Sequence, residues 1–327
     1  MSATPHPLCE LHVHLEGCVW PGHIEAWWHK SDYLFGPPRL RESGSRFERF
    51  LDHLRFGYNF LNTEDAYGAV AVAYAERAVA AGICYAELQL NLGLLRTWNL
   101  DVEGVVGAIR LACAEVENAP TLRFVIDLPW QFNPAAFEEI IERAPQLMRL
   151  GVGAISMGGD ETLARPSEVR PLFDGARAVG LRVFCHAGEF GPPNLARAIV
   201  EELRPDRVTH AVALADWIAD LGPASPPVDV CLSSNLSLGV IASLEAHPLP
   251  RWFDCGVVVN LSTDDPAVFA TSLPREFGLA RRICPQLIQT WDRIEQGWMR
   301  AAIDPKAATA ALAAAKARLA NLTPSDA

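Results

Sequence analysis

The chain has 327 residues, half of them apolar, and a formal net charge of −11, enough for one large domain or two modest ones. Lys and Arg are scattered rather than striped, which excludes the electrostatic footprint of a nucleic-acid binder, and no apolar run approaches a membrane span. Residues 1–8 lack a basic region followed by an apolar one, and the eight cysteines form no Cys-x-x-Cys pair, so a reduced cytoplasmic protein without a secretory leader is expected.

The first predicted strand is Cys9-Glu10-Leu11-His12-Val13-His14-Leu15-Glu16-Gly17. Alternation places Glu10, His12, His14 and Glu16 on one face and Leu11, Val13 and Leu15 on the other. Two His spaced i, i+2 either reach one divalent ion or form a polar face open to water. Residues 18–62 then crowd Trp20, Trp27, Trp28, Tyr33, Phe35, Phe47, Phe50, Phe56, Tyr58 and Phe60 around a break at Gly36-Pro37-Pro38. This reads as an insertion whose helices pack as a satellite core, some of its rings also forming a hydrophobic lid over a pocket.

A regular rhythm follows. Thr63 is a candidate cap for a helix over 64–81, and Gly82 ends it. Strands are predicted over 83–90, 122–128, 152–157, 181–186, 207–212, 228–233 and 257–263. Helices are predicted between most of them, over 102–117, 133–150, 166–179, 194–203 and 216–221, and an Ala-rich helix over 307–322. With the opening strand this makes eight strands in α/β alternation, which predicts a parallel sheet closed as a (β/α)8 TIM barrel. The alternative is an open doubly wound sheet, but no Gly-x-Gly-x-x-Gly turn follows any strand. Residues 1–327 are read as a single barrel domain with 18–62 inserted after strand one.

A barrel enzyme carries its chemistry at the C-terminal ends of its strands. Those ends hold His12 and His14, His186 with Glu189, His210, and Asp264-Asp265. Taken singly, each is an ordinary core or loop residue. Together they converge on one rim. Three neutral His and a carboxylate suit Zn, Ni, Fe or Mn, and Zn is the usual choice for hydrolysis. A bound Zn acidifies its water, a further His can take that proton, and a Glu can donate one to substrate. These parts predict a metal-assisted hydrolase.

At this point the residues resemble one family. Glu10-Leu11-His12-Val13-His14-Leu15-Glu16-Gly17, Gly158-Gly159-Asp160-Glu161, His186-Ala187-Gly188-Glu189, His210, Ser234-Asn235 and Thr263-Asp264-Asp265-Pro266 stand in the order found in the adenosine deaminase family of metal-dependent amidohydrolases. The resemblance runs from residue 9 to about 280. It implies that His12, His14, His186 and Asp264 hold one zinc per chain, with Fe or Mn possible. It implies that Glu189 protonates N1 of an aminopurine, that His210 acts as base toward the attacking water, that Asp265 holds N7 and that the Gly159 backbone contacts N3. The ring would then lose its amino group at C6 as ammonia. The other zinc deaminase type needs Pro-Cys-x-x-Cys, which this chain lacks.

The departures bear on the substrate. Glu16 stands where the nucleoside enzymes carry the Asp that binds a ribose 5′-hydroxyl. Thr209 and Ala211 replace the usual Gly residues, Ser156 replaces an Asp, and the Pro before Ser-Asn is absent. Asp127-Leu128-Pro129-Trp130-Gln131-Phe132 resembles the aminodeoxyfutalosine deaminase branch, which tends to carry Arg at Trp130. The expected activity is therefore hydrolytic deamination of an adenine-ring nucleoside, with 6-aminodeoxyfutalosine leading and adenosine close behind. An anionic tail on it would need Arg39, Arg41, Arg46 or Arg55. The alternatives are a free-adenine deaminase, a hydrolase of another ring or amide, and a non-catalytic purine-binding barrel. No nucleic-acid or membrane partner is expected, and the sequence leaves the oligomeric state open.

Overall fold

Eight parallel strands run in sequence order around the sheet: β1 (Leu8–His14), β2 (Ile83–Asn91), β3 (Thr121–Pro129), β4 (Val152–Gly158), β5 (Arg182–Ala187), β6 (Arg207–His210), β7 (Val228–Val230) and β8 (Val259–Leu261). The computed structural model describes residues 6–27 and 46–321. β8 returns to β1 through a bridge between Val13 and Asp264, with His14 N donating to Asp264 O at 2.8 Å. The result is the expected TIM barrel, with helices between the strands.

The strand pattern explains which side chains enter the barrel. On β2, Glu87 and Gln89 meet Arg207 and His12 across the interior, while Ala86, Leu88 and Leu90 join the apolar core. β1 does not follow plain alternation. Glu10 pairs with Ala86 and Val13 with Leu88, three residues against two, so a bulge intervenes. Glu10 therefore shares the outward face of Ala86, where it accepts a 2.6 Å hydrogen bond from Tyr74. Of the expected polar face, His12 and His14 remain together, Glu10 leaves it, and Glu16 lies beyond the strand in a single 3-10 turn. The last three strands are also shorter than expected. β6 ends where His210 (φ 67°) and Ala211 (φ 55°) enter left-handed backbone, and β7 gives way to a helix over Leu232–Leu238.

Beneath the rim the interior is charged. Arg207, 1% exposed, pairs with Glu87 at 2.7 Å and Asp229 at 2.6 Å and lies over the Phe184 ring. All eight cysteines are free, and all but Cys255 are buried.

The insertion contributes α1 (Pro21–Trp27) and α2 (Arg46–Tyr58). Its rings divide. Phe56 and Phe60 pack edge to face in the core at 5.5 Å, and Trp20 lies under the Arg77 guanidinium at 4.0 Å. Phe50 instead stacks on Phe269 at 5.4 Å and, with Tyr58, faces the cavity at the strands' C-terminal ends. Trp28, Tyr33 and Phe35 lie outside the described residues, as do the side chains of Trp27 and Phe47. Next comes α3 (Glu64–Ala80), capped by Thr63, whose hydroxyl accepts from Ala66 N at 3.2 Å. Thr63→Ala should cost about 1 kcal/mol of stability in urea unfolding and leave turnover unchanged. A shift under a few tenths would show that water replaces the cap. Among the described residues no helix is long and apolar enough to cross a membrane.

Candidate active site

The C-terminal ends of the strands enclose a cavity of about 630 Å³. At its floor, one nitrogen each from His12, His14 and His186 and one oxygen of Asp264 lie within 4.8 Å of one another. Asp264 Oδ1 is 3.3 Å from His12 Nε2 and 3.5 Å from His14 Nε2, and the Nε2 atoms of His14 and His186 are 3.4 Å apart. Four ligands at about 2.0–2.1 Å in a tetrahedron sit roughly 3.3–3.4 Å from one another. The spacing therefore fits one small divalent ion.

The protonation pattern fits as well. Burial, reinforced by neighbouring positive groups, holds His12 and His14 well below the usual imidazole range, and burial also lowers His186. Neutral imidazoles offer a lone pair. His186 turns its Nδ1 to the Met157 carbonyl at 3.3 Å, which leaves Nε2 to face the cluster. His12 is held at Nδ1 by Gln89 Nε2 (3.2 Å) and Thr209 Oγ1 (3.4 Å). An amide presents either donor or acceptor, so Gln89 serves either His12 tautomer by rotating. Fixing the far nitrogen is how proteins orient a metal-binding imidazole.

Above the cluster, Glu189 and His210 face each other with 3.3 Å between Oε2 and Nε2. Burial first, then the Asp264 charge, raises the Glu189 carboxyl well above the ordinary range. Burial lowers His210 well below its usual value. His210 is gripped behind by Asn235, whose Nδ2 lies 3.0 Å from Nδ1, and Asn235 is itself backed by His247. Glu189 owes its position to Glu161, which the sequence reading quoted without a role. The Glu161 carboxylate accepts from the backbone N–H groups of Gly188 (2.8 Å), Glu189 (2.9 Å) and Gly191 (3.1 Å).

The remaining sequence candidates line the same cavity: Glu16, Gly159 and Asp265. Asp265 Oδ1 is buried without a hydrogen-bond partner among the described residues. Gly17 explains how it fits, since a Cβ there would meet Asp265 Oδ1 at 2.0 Å and its Cα at 2.6 Å. Gly159 turns at φ +78°, left-handed backbone that favours glycine. Glu16 accepts through Oε1 from Asn91 N (2.9 Å) and Tyr67 (3.3 Å), and burial pushes it up to about 7. Asp127 was assigned no role from sequence, yet it faces the cavity from the end of β3, and burial raises it to about 8. Its place at a strand end was the available signal. Of the four arginines considered for an anionic tail, Arg55 lines the cavity. Arg46 donates instead to the Leu236 carbonyl, and Arg39 and Arg41 lie outside the described residues.

Known proteins share this chain's sequence and fold. The family model described as adenosine deaminase matches residues 7–316. The aminodeoxyfutalosine deaminase of Acidothermus cellulolyticus is 31% identical over 311 residues, covering 86% of each chain. The adenine deaminase of Rhizobium rhizogenes is 31% identical over 287 residues, covering 83% of this chain and 86% of the relative. Among solved structures, the adenine deaminase from Arthrobacter aurescens superposes with a TM-score of 0.80 at 24% identity, covering 97% of this chain and all of that one.

Proposed function

The chain belongs to the adenosine deaminase family, and from that premise we propose that it deaminates an adenine ring carried on a 5′-modified ribose. It is a hydrolytic deaminase acting on a C–N bond of the ring and uses a metal site built from His12, His14, His186 and Asp264. Our reading of the substrate is 6-aminodeoxyfutalosine, with adenosine next.

The protein's own groups divide the work. We assign zinc to the four donors; when bound it supplies the Lewis acidity that makes water a nucleophile near neutral pH. His210 accepts the proton of the attacking water. Glu189 donates a proton to N1, which draws electron density from C6. The water oxygen bonds to C6, His210 passes the proton it took to the amino nitrogen, the C6–N bond breaks and ammonia leaves, and the remaining hydroxyl proton returns to Glu189. Asp265 holds N7, the Gly159 N–H meets N3, and Glu16 reaches the sugar. Helix α2 covers the cavity through Phe50, Leu51, Leu54, Arg55 and Tyr58.

The single observation that carries the substrate reading is the lining of the cavity. Phe50, Leu51, Leu54, Leu94 and Phe132 give it apolar surface, and Arg55 is the one Lys or Arg side chain in it among the described residues. A bare base would leave that surface uncovered. A flat apolar tail ending in a carboxylate would cover it and meet the guanidinium. Free adenine is the second reading, favoured by the adenine deaminase relative at equal identity. The test compares kcat/KM for 6-aminodeoxyfutalosine, adenosine and adenine. The first is expected to exceed adenine by more than tenfold. Adenine ahead by that margin would overturn the tail argument, and adenosine ahead would overturn the 5′-modified reading drawn from Glu16 while the deaminase chemistry stands.

A further inference from the structure

Besides Asp265 Oδ1, two carboxylate oxygens in the cavity wall have no partner among the described residues. They are Glu16 Oε2 and Asp127 Oδ1, and both residues are 3% exposed. Their other oxygens are anchored, Glu16 on Asn91 N and Tyr67, Asp127 on the side chain of Ser156. Asn91 ties the two together. Its N–H holds Glu16, and its Cα is the β2 register partner of Asp127 on β3. Buried acceptors left open beside a cavity are costly unless something donates to them.

The order of strands says what that donor is. On the proposed binding mode, N3 of the purine faces Gly159 after β4 and N7 faces Asp265 after β8. The N9 edge lies between N3 and N7 on the ring. Going round the sheet from β4 to β8 the other way, the chain passes β3, β2 and β1. The N9 substituent must therefore lie over Asp127, Asn91 and Glu16. At this position the substituent is the sugar, and a sugar offers adjacent hydroxyls.

We propose that Asp127 and Glu16 together hold two neighbouring hydroxyls of the substrate ribose, so that Asp127 is a specificity-determining residue that separates a nucleoside from a free base. The proposal rests on the adenine-ring deaminase reading. A hydroxyl donates to whichever oxygen is open, and a pair of them closes both gaps at once. A free base leaves both gaps open, and a site built to bond a hydroxyl discriminates against an analogue that lacks it.

The test uses the metal-loaded protein and the variants Asp127→Ala and Asp127→Asn. Adenosine, 2′-deoxyadenosine, 3′-deoxyadenosine and adenine are compared by kcat/KM. Asp127→Ala is expected to lower the value for adenosine by about 10- to 100-fold. It should not lower the value for adenine, and it should abolish the wild-type penalty for one of the two deoxy analogues. Asp127→Asn, which keeps the side-chain volume, should move in the same direction by less. Binding of inosine and hypoxanthine, measured calorimetrically, should show the same split without turnover. Equal losses on adenine and adenosine, or no loss on adenosine, would overturn the proposal. Should the wild type release ammonia from none of these, nor from 6-aminodeoxyfutalosine, the deaminase reading itself fails and the proposal falls with it.

Discussion

Glu189→Gln is expected to retain its metal and lose at least ~3 kcal/mol of transition-state stabilisation, roughly a hundredfold or more in turnover. The substitution preserves volume and the anchoring of the loop, because Glu161 grips the backbone N–H of residue 189 rather than its side chain. What it removes is the dissociable proton. In the wild type that proton is retained to unusually high pH, since burial and the Asp264 charge both disfavour the carboxylate. An acid is useful only below its pKa, so wild-type turnover should fall as pH climbs through the raised Glu189 value. The variant should lose that alkaline limb. Turnover and metal content measured together decide the matter. A loss below tenfold with metal retained would mean that the proton comes from elsewhere.

Much of this site was legible because its residues sit where strands end. The fold places strand ends on one rim, so sequence position alone gathers His12, His14, His186, His210 and Asp264. The misreading of Glu10 has a local cause. Period-2 alternation holds only while pairing is regular, and the bulge between Glu10 and Val13 moves one residue out of step. Glu161 was opaque for a different reason. Its role is to hold a loop 27 to 30 residues further on, a contact that no local pattern encodes. Asn235 was hidden likewise, since it acts through His210 on another strand. Among the described residues of the insertion, the division between core and cavity rings is set by tertiary packing. Phe56 and Phe50 lie on one helix and go to opposite environments. The arginines show the same limit. Four were candidates from sequence, and only the path of α2 put Arg55 in the cavity while Arg46 turned to a backbone carbonyl.

The metal carries the largest expected effect. His12→Ala should abolish measurable ammonia release, and so should dialysis of the wild type against a strong chelator. His12 approaches Asp264 most closely of the three His, and it is fully enclosed at 1% exposure. Removing it takes one of four donors from a set whose 3.3–3.5 Å spacing matches a single small ion. It also leaves Gln89 and Thr209 without the ring nitrogen they hold. No neighbour substitutes for it. His210 is turned toward Glu189 and tied back by Asn235, so it cannot move in without giving up both contacts. Added zinc should restore the chelated wild type and fail to restore His12→Ala. Elemental analysis should find about one metal per chain in the former and well under one in the latter. Ligand binding also stabilises the state that binds, so the metal-loaded wild type should unfold at a higher temperature than the chelated one. This second readout separates a lost ligand from a misfolded variant. Full turnover in a sample shown to carry no metal would end the assignment, and with it the division of labour between the four donors and the Glu189–His210 pair.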